Sequence, residues 1–462
     1  MEKQDMPSQE TMDVQDDVPN LIEVGEIPAN YAMRVETDIL EPVVSSGGDG
    51  GFARFTLQRK GFLSSMSKLT FSLIPNATNN EAFVPLGVGI FSCIKNATLK
   101  IGQTTVCETQ GVNLLAAYQS LFTTNESNKE REQFVNGRCI SHESIFNTDS
   151  DSKAATFGLS NGKSYNGNNL DVLNYAKMDG ARPKESPIYS LFLSDLFGFL
   201  KHNQLPAYMF GVDQEIHVEL TFSNSTVQRV CIGDGETTSL PYLIDTTELK
   251  MIYDTIYYDG DVMQRYAQQN AGGISFSYVD YRLSTFTGDE AAFSDQVFQV
   301  GGNGRLVNKV IIGVVNSTRG NDESILNGYV SNAPSAGSKL TLNLRYNDRF
   351  VFSIDRDNPA LLFHTVKETE GMVPFVMRGE YSNEGQAMIT TKTLEGHDQK
   401  VGLEGAFNWT SIRLNREERV NNKGIELTYK NTLPGGNYTL YVWTELKKTA
   451  QLVNGQFSSV FA

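Results

Sequence analysis

The chain is poor in cysteine, histidine and tryptophan and has no surplus of positive charge, and each shortage removes a class of function. Four cysteines, Cys93, Cys107, Cys139 and Cys231, are spread over 462 residues. None forms a C-x-x-C pair and none stands at zinc-ligand spacing, so neither a disulfide scaffold nor a cysteine metal site is indicated. They read as free, mostly buried thiols of a reducing compartment. The five histidines, His142, His202, His217, His364 and His397, are scattered. Lys and Arg number 39 against 54 acidic residues, a formal net charge of −15. A nucleic-acid binder carries a basic stripe, and the short pairs Arg59-Lys60 and Lys447-Lys448 read instead as solvated strand ends. No stretch approaches the roughly 20 apolar residues of a membrane span. The longest apolar runs, such as Val310 to Val315, are short enough to be buried strands. The first residues, MEKQDMPSQETMDVQDDVPN, are acidic and polar and lack the basic start and apolar segment of a secretory signal. N-x-S/T sequons at Asn76, Asn224 and Asn437 read as accidental in an Asn-rich chain of this kind.

What the chain does contain is strand grammar. Hydrophobic residues are 40% and aromatics 10%, enough for a sizeable core, and Gly reaches 40 residues. Many turns imply many short strands. Leu69, Phe71 and Leu73 alternate with polar neighbours, as do Ile216, Val218, Leu220 and Phe222, and Leu340, Leu342, Leu344 and Tyr346. Ile90 to Ile101 and a strand through Val106 are joined at Gly102-Gln103. Gly111 to about Phe134 has helical spacing, and Ile188 to Leu200 is an apolar run. Leu243 to Tyr258 reads as a strand pair or one long strand. DVMQRYAQQN, Asp261 to Asn270, reads as a helix that ends at Ala271-Gly272-Gly273. Pro434-Gly435-Gly436, between two alternating runs, is a hairpin-like signal. The expected organisation is a flexible acidic arm over 1–20, a first β-sandwich over 21–260, a helical connector over 261–272 and a second sandwich over 273–462. The polar stretch 137–186 reads as an elaborated surface loop. The fold class is all-β, two tandem sandwiches of the jelly-roll kind.

Four segments add a family resemblance. FTLQRKGFLSSMSKLTFSLIP, Phe55 to Pro75, resembles a strand, an Arg-x-Gly-Asp-Leu turn, a strand and Pro, with Phe62 in place of the usual acidic residue. GIFSCIKNATLKIGQTTVCETQGVNLLAAYQSL, Gly89 to Leu121, resembles paired strands joined at Ile-Gly-Gly and followed by a helix. SLFLSDLFGFLKHNQLPAYMFGVDQEIHVELTF, Ser190 to Phe222, is similar to an apolar run, Leu-Pro and a closing strand. KLTLNLRYNDRFVFSIDRDNPALLFHTV, Lys339 to Val366, resembles a Leu-x-Leu-Asn-x-x-Arg region, with Asn343 and Arg349 as nearest matches. In this order the segments resemble the major capsid proteins of nucleocytoplasmic large DNA viruses, polinton-like viruses and virophages. The resemblance implies two jelly rolls standing side by side in an icosahedral double-stranded DNA virus shell. It implies a homotrimeric, pseudo-hexagonal capsomer in contact with neighbouring capsomers and with minor capsid and penton proteins. It also implies assembly inside the infected host cell and residence in the virion, with no direct nucleic-acid contact.

Each chemically suggestive cluster has a blander reading that suits it better. Asp254, Asp259 and Asp261 cluster beside a helix start, where the dipole favours acidic groups. Ser194, Asp195 and His202 are close in sequence but lack a nucleophile elbow. Gly301, Gly302 and Gly304 have no following Lys-Ser/Thr and read as a turn. Asp355 and Asp357 flank Arg356 before Asn358-Pro359, a solvated turn. Arg416, Glu417, Glu418 and Arg419 read as a solvated face or an intersubunit ion network. No catalytic, cofactor-binding or metal-binding residue is assigned, no cofactor is expected, and the chain is read as structural and not as an enzyme. The alternative is a carbohydrate-binding or glycan-active double jelly roll, with Trp409 and Trp443 as stacking platforms.

Overall fold

The computed structural model describes residues 34–47, 50–75, 82–83, 88–123, 131, 135–136, 174–175, 188–224, 232–233, 242–293, 296–316, 341–355, 359–371, 389–394, 397–402, 409–414, 418–430 and 437–461. The arm 1–20, Cys139, Cys231 and His142 fall outside these. So does the stretch 137–186, apart from Asn174–Tyr175, which pairs with Ala82–Phe83.

The N-terminal half builds two facing antiparallel sheets. Its strands are β1 (Arg34–Leu40), β2 (Phe52–Leu57), β3 (Phe62–Leu63 and Lys68–Phe71), β4 (Ile94–Ile101), β5 (Thr104–Gln110), β6 (Tyr189–Phe192 and Leu205–Pro206), β7 (Ile216–Phe222) and β8 (Lys250–Tyr257). β3 is interrupted at Ser64 to Ser67. There Ser64 N–H donates to the Asp254 carbonyl at 2.9 Å and Asp254 N–H donates to Ser67 Oγ at 3.2 Å, so the ladder with β8 continues through side-chain and turn bonds. Counted this way, the first sheet runs β1-β8-β3-β6 and the second β2-β7-β4-β5.

The C-terminal half repeats that order. Its strands are β9 (Ile274–Asp289), β10 (Gln296–Gly301), β11 (Val307–Asn316), β12 (Thr341–Tyr346), β13 (Arg349–Asp355), β14 (Trp409–Arg413), β15 (Ile425–Lys430) and β16 (Asn437–Val453), with β17 (Gln456–Phe461) added to β16. The sheets run β9-β16-β11-β14 and β10-β15-β12-β13. Adding eight to each strand number of the first half gives the second. Each half therefore has the two interlocked Greek keys of a jelly roll. Each also carries a helix between its fifth and sixth strands, Val112–Thr123 in one and Pro359–Glu370 in the other.

The alternation read from the sequence sets which side chains fill the sandwiches. Leu69 and Phe71 of β3, Val218 and Leu220 of β7, and Leu342 and Leu344 of β12 are all buried. Between β8 and β9 lies the helix Gly260–Gln269, where the Asp259 carboxylate accepts from Asp261 N–H and so satisfies one orphan donor. Gly61 enters β3 at φ +49; a Cβ there would stand 2.4 Å from Thr255 Cγ2 and 2.7 Å from the Ile256 carbonyl. Phe62, where the resembled family has an acid, is buried among the rings of Tyr208, Tyr258 and Tyr266.

The helical spacing after Gly111 gives the helix Val112–Thr123; 131 and 135–136 are also helical, and the residues between lie outside the described ones. Other local expectations are corrected. The apolar run from Ile188 splits into a strand and two short helices, Leu193–Leu196 and Gly198–His202. Leu243 to Tyr258 divides between Tyr242–Ile244, which pairs with Leu73–Pro75, and β8. The runs on either side of Pro434-Gly435-Gly436 are not a hairpin: β15 pairs with β10 and β12, whereas β16 pairs with β9 and β11 in the facing sheet. The Asn358-Pro359 turn opens a helix, with Pro359 as its first residue, where a missing N–H costs nothing.

Candidate functional site at the seam of the two sandwiches

The chemistry-bearing residues named from sequence do not converge. Asp254 lies on β8 and accepts from Thr37 Oγ1 at 2.6 Å, while Asp259 and Asp261 serve the helix start. Ser194 lies in the short helix Leu193–Leu196, whose first turn also holds Asp195. Gly301, Gly302 and Gly304 form a positive-φ turn whose amide at Gly304 is already spent on the Val420 carbonyl at 2.7 Å. Arg356, Asp357, Arg416 and Glu417 lie outside the described residues. Glu418 contacts Arg349 at 3.4 Å, and Arg419 donates to the Gly304 carbonyl at 3.3 Å. Among the described residues no group of three or more His, Cys, Asp or Glu is placed to hold a metal ion. Cys93 and Cys107 are buried and free, and burial pushes both thiols up, away from the reactive thiolate.

The dense polar arrangement lies elsewhere, where β5 of the first half meets β9 and β16 of the second. Among the described residues β5 pairs with β4 alone, so its other edge has backbone groups to satisfy. Side chains of the second half do this. Tyr278 Oη donates to the Val106 carbonyl at 3.0 Å, Glu108 N–H donates to Asp280 Oδ1 at 3.3 Å, and Trp443 Nε1–H donates to the Gln110 carbonyl at 2.9 Å. Lys448 also reaches the Val106 carbonyl and forms a buried ion pair with Asp280. Burial pushes the Asp280 carboxyl up, and Lys448 only partly offsets this.

A second cluster joins the two helices. Lys309 Nζ lies 2.7 Å from Glu370 and 3.4 Å from Glu445. Tyr118 Oη, from the first-half helix, donates to Glu370 Oε1 at 2.7 Å, and Tyr281 Oη donates to Glu445 Oε2 at 2.7 Å. Burial beside these carboxylates pushes both phenols well up, so they remain donors. A third contact is the β16–β17 hairpin, turned at Asn454-Gly455 with φ 51 and 78. Gly211 N–H donates to the Gly455 carbonyl at 2.8 Å, and Phe457 N–H donates to Gln214 Oε1 at 3.2 Å. The Phe457 ring packs against Phe199, Phe210 and Phe276. Glycine permits the close approach: a Cβ on Gly198 would stand 2.3 Å from the Val279 carbonyl oxygen.

This seam was missed by sequence reasoning. Lys448, read as part of a solvated strand end, is 7% exposed and paired. Trp443, considered as a sugar platform, is fully buried and bonded across the seam. The unbroken apolar run Leu440 to Trp443 was the available signal, because a strand covered on both faces loses its alternation.

No family model matches the chain, and no curated protein matches it by sequence. Solved structures do match. The Sputnik virophage structure aligns with TM-score 0.54 and 12% identity, covering 94% of this chain and 90% of that one. The PBCV-1 virus capsid aligns with TM-score 0.53 and 9% identity over 94% and 97%. The mavirus major capsid protein aligns with TM-score 0.51 and 10% identity over 92% and 90%. The chain has the double jelly-roll fold of these capsid proteins. Near-complete coverage on both sides means that both jelly rolls of this chain, and the step between them, take part in the match. At such low identity the likeness lies in backbone course.

Proposed function

We propose that this chain is a structural major capsid protein, with three copies forming a pseudo-hexagonal capsomer of an icosahedral double-stranded DNA virus shell. The observation that carries this reading is the repetition of one strand order in two rolls, fastened side by side by a buried seam. Two like units per chain make a three-chain ring nearly six-fold, and heterologous contacts that close give such a ring. We place the first roll over 21–260, the connector over 261–272 and the second roll over 273–462, with 1–20 as an arm. The formal charge of −15 supports an arm and a shell that bind protein and leave genome contact to other chains. Minor capsid and penton proteins are the further partners, the virion is the location, and the polar stretch 137–186 belongs on an outward or lateral surface. The glycan-binding alternative loses its Trp443 platform. Light scattering on the purified chain tests the reading: a stable trimer that assembles into shells or sheets with its partner proteins is expected. A folded monomer at high micromolar concentration would overturn it.

A further inference from the structure

The seam inside one chain is a template for a contact between chains. It joins the outer edge of β5 to the outer face of β9 and β16. In the shared strand order, the counterpart of β5 is β13, and the counterparts of β9 and β16 are β1 and β8. Those counterparts lack a mate among the described residues, and they carry exposed apolar side chains. On β13, Phe350 is 70% exposed and Val351 38%. On β1, Ile39 is 64% exposed and Val35 49%. Val35, Thr37 and Ile39 stand opposite Ile256, Asp254 and Ile252 of β8, which puts all six on one face of the sheet. That face points away from the side filled by Met251, Tyr253 and Thr255; Ile256, beside Phe62, is buried at one end of it, and the exposed part is formed by Val35, Thr37 and Ile39. The same residue logic holds at the seam itself. There Tyr281 and Leu283 of β9 stand opposite Glu445 and Trp443 of β16, on the face turned away from the second roll's core, and Trp443 is bonded to Gln110 of the first roll.

Apolar side chains scattered singly over a surface need no explanation. Here both halves of a complementary pair are exposed at the two places that correspond to a contact already made once in the chain. β13 is also an edge strand, and an uncovered edge is a site for association. We propose that β13 of one copy, through Phe350 and Val351, docks on the β1–β8 face of a second copy, around Val35 and Ile39, repeating the intrachain seam. This rests on the capsomer reading and specifies its partner and its surfaces. The contact is heterologous, with each copy offering β13 to one neighbour and β1–β8 to the other, so it closes only as a ring.

The test uses the full-length chain. Ile39→Asp and Phe350→Asp each place a charge in the contact, and Val297→Asp does so on β10, the opposite edge of the β13 sheet, as a control. Expected is at least about 30-fold weaker trimer association for the first two, as for an interface anchor, and none for the control. In parallel, a short bis-maleimide is applied to Ile39→Cys, Val351→Cys and the double variant, with wild type as background. Only the double variant should yield covalent dimers and trimers, and a mixture of the singles covalent dimers alone. If an aspartate variant fails to fold, the milder cysteine pair decides. A wild-type trimer that survives both aspartates and gives no specific cross-link overturns the contact and leaves the capsid reading standing. A cross-link formed by Ile39→Cys alone means a two-fold contact and also overturns it. A monomeric wild type sinks this proposal together with the capsomer reading.

Discussion

Glu219 and Asp280 are both carboxylates on β-strands with lysine partners, yet they titrate in opposite directions. Glu219 faces outward from β7 between Arg54 at 2.6 Å and Lys100 at 2.6 Å. Burial raises its carboxyl, but hydrogen bonds from Lys100 and Arg54 outweigh that, and the group lies below its usual value. Asp280 sits in the seam with Lys448 as its cation, and there burial wins. Two partly exposed cations hold a buried carboxylate ionised, whereas one buried cation leaves Asp280 with a net cost. The Glu219 pairs thus add a little stability, whereas the seam pair acts mainly by penalising any arrangement that separates it.

The largest expected effect comes from breaking the seam pair on one side. Lys448→Met strands the Asp280 carboxylate and should cost about 3–5 kcal/mol in denaturant unfolding at neutral pH. The loss should shrink in acid as Asp280 takes up a proton. Lys448→Met combined with Asp280→Leu should recover most of the stability; equal loss in single and double variants would mean that packing, and not charge, dominates.

Steric closeness at the seam is next. Gly198→Ala drives a methyl against the Val279 carbonyl and should cost about 1–3 kcal/mol, with hydrogen exchange rising in β5 and β9. Gly260→Ala, which meets nothing within 4 Å, is the control and should lack that loss.

The contrast between the two carboxylates makes a pH prediction with opposite signs. Glu219 is depressed in the fold, so its contribution is present above the ordinary value of 4.5 and disappears as pH falls through the folded value. Asp280 is raised, so the folded state holds its proton longer than the unfolded chain, and stability declines as pH rises from 3.8 through the folded value. Glu219→Gln should therefore flatten the acid loss, and Asp280→Asn should remove the decline. Identical pH profiles for the two variants would contradict the assignment. The smallest effect is expected at Arg34, whose side chain is 76% exposed beside Glu36. Arg34→Ala should move unfolding by no more than about 0.5 kcal/mol.

The faces of β3, β7, β12 and β15 were legible because alternation is a local property: Val218 and Leu220, or Leu342 and Leu344, point to the same side whatever the partner strand is. The helix Gly260–Gln269 was legible for the same reason, since its cap, Asp259, and its terminal glycines lie within one turn of its ends. Partner choice was not legible. Nothing within β15 or β16 says that they enter facing sheets, so Pro434-Gly435-Gly436 looked like a hairpin. Nothing near Lys448 says that Asp280 and the Val106 carbonyl will meet it in a dry seam.

By itself the amino-acid order determined strand faces, turn positions, the connecting helix and an all-β class, all written in spacings of a few residues. Only the tertiary structure decided the strand order, the burial of Trp443 and Lys448, and the matching of β5 to β9 and β16. Those depend on backbone groups and side chains brought together from as far apart as Val106 and Lys448, and no local pattern encodes which distant edge will cover a given face.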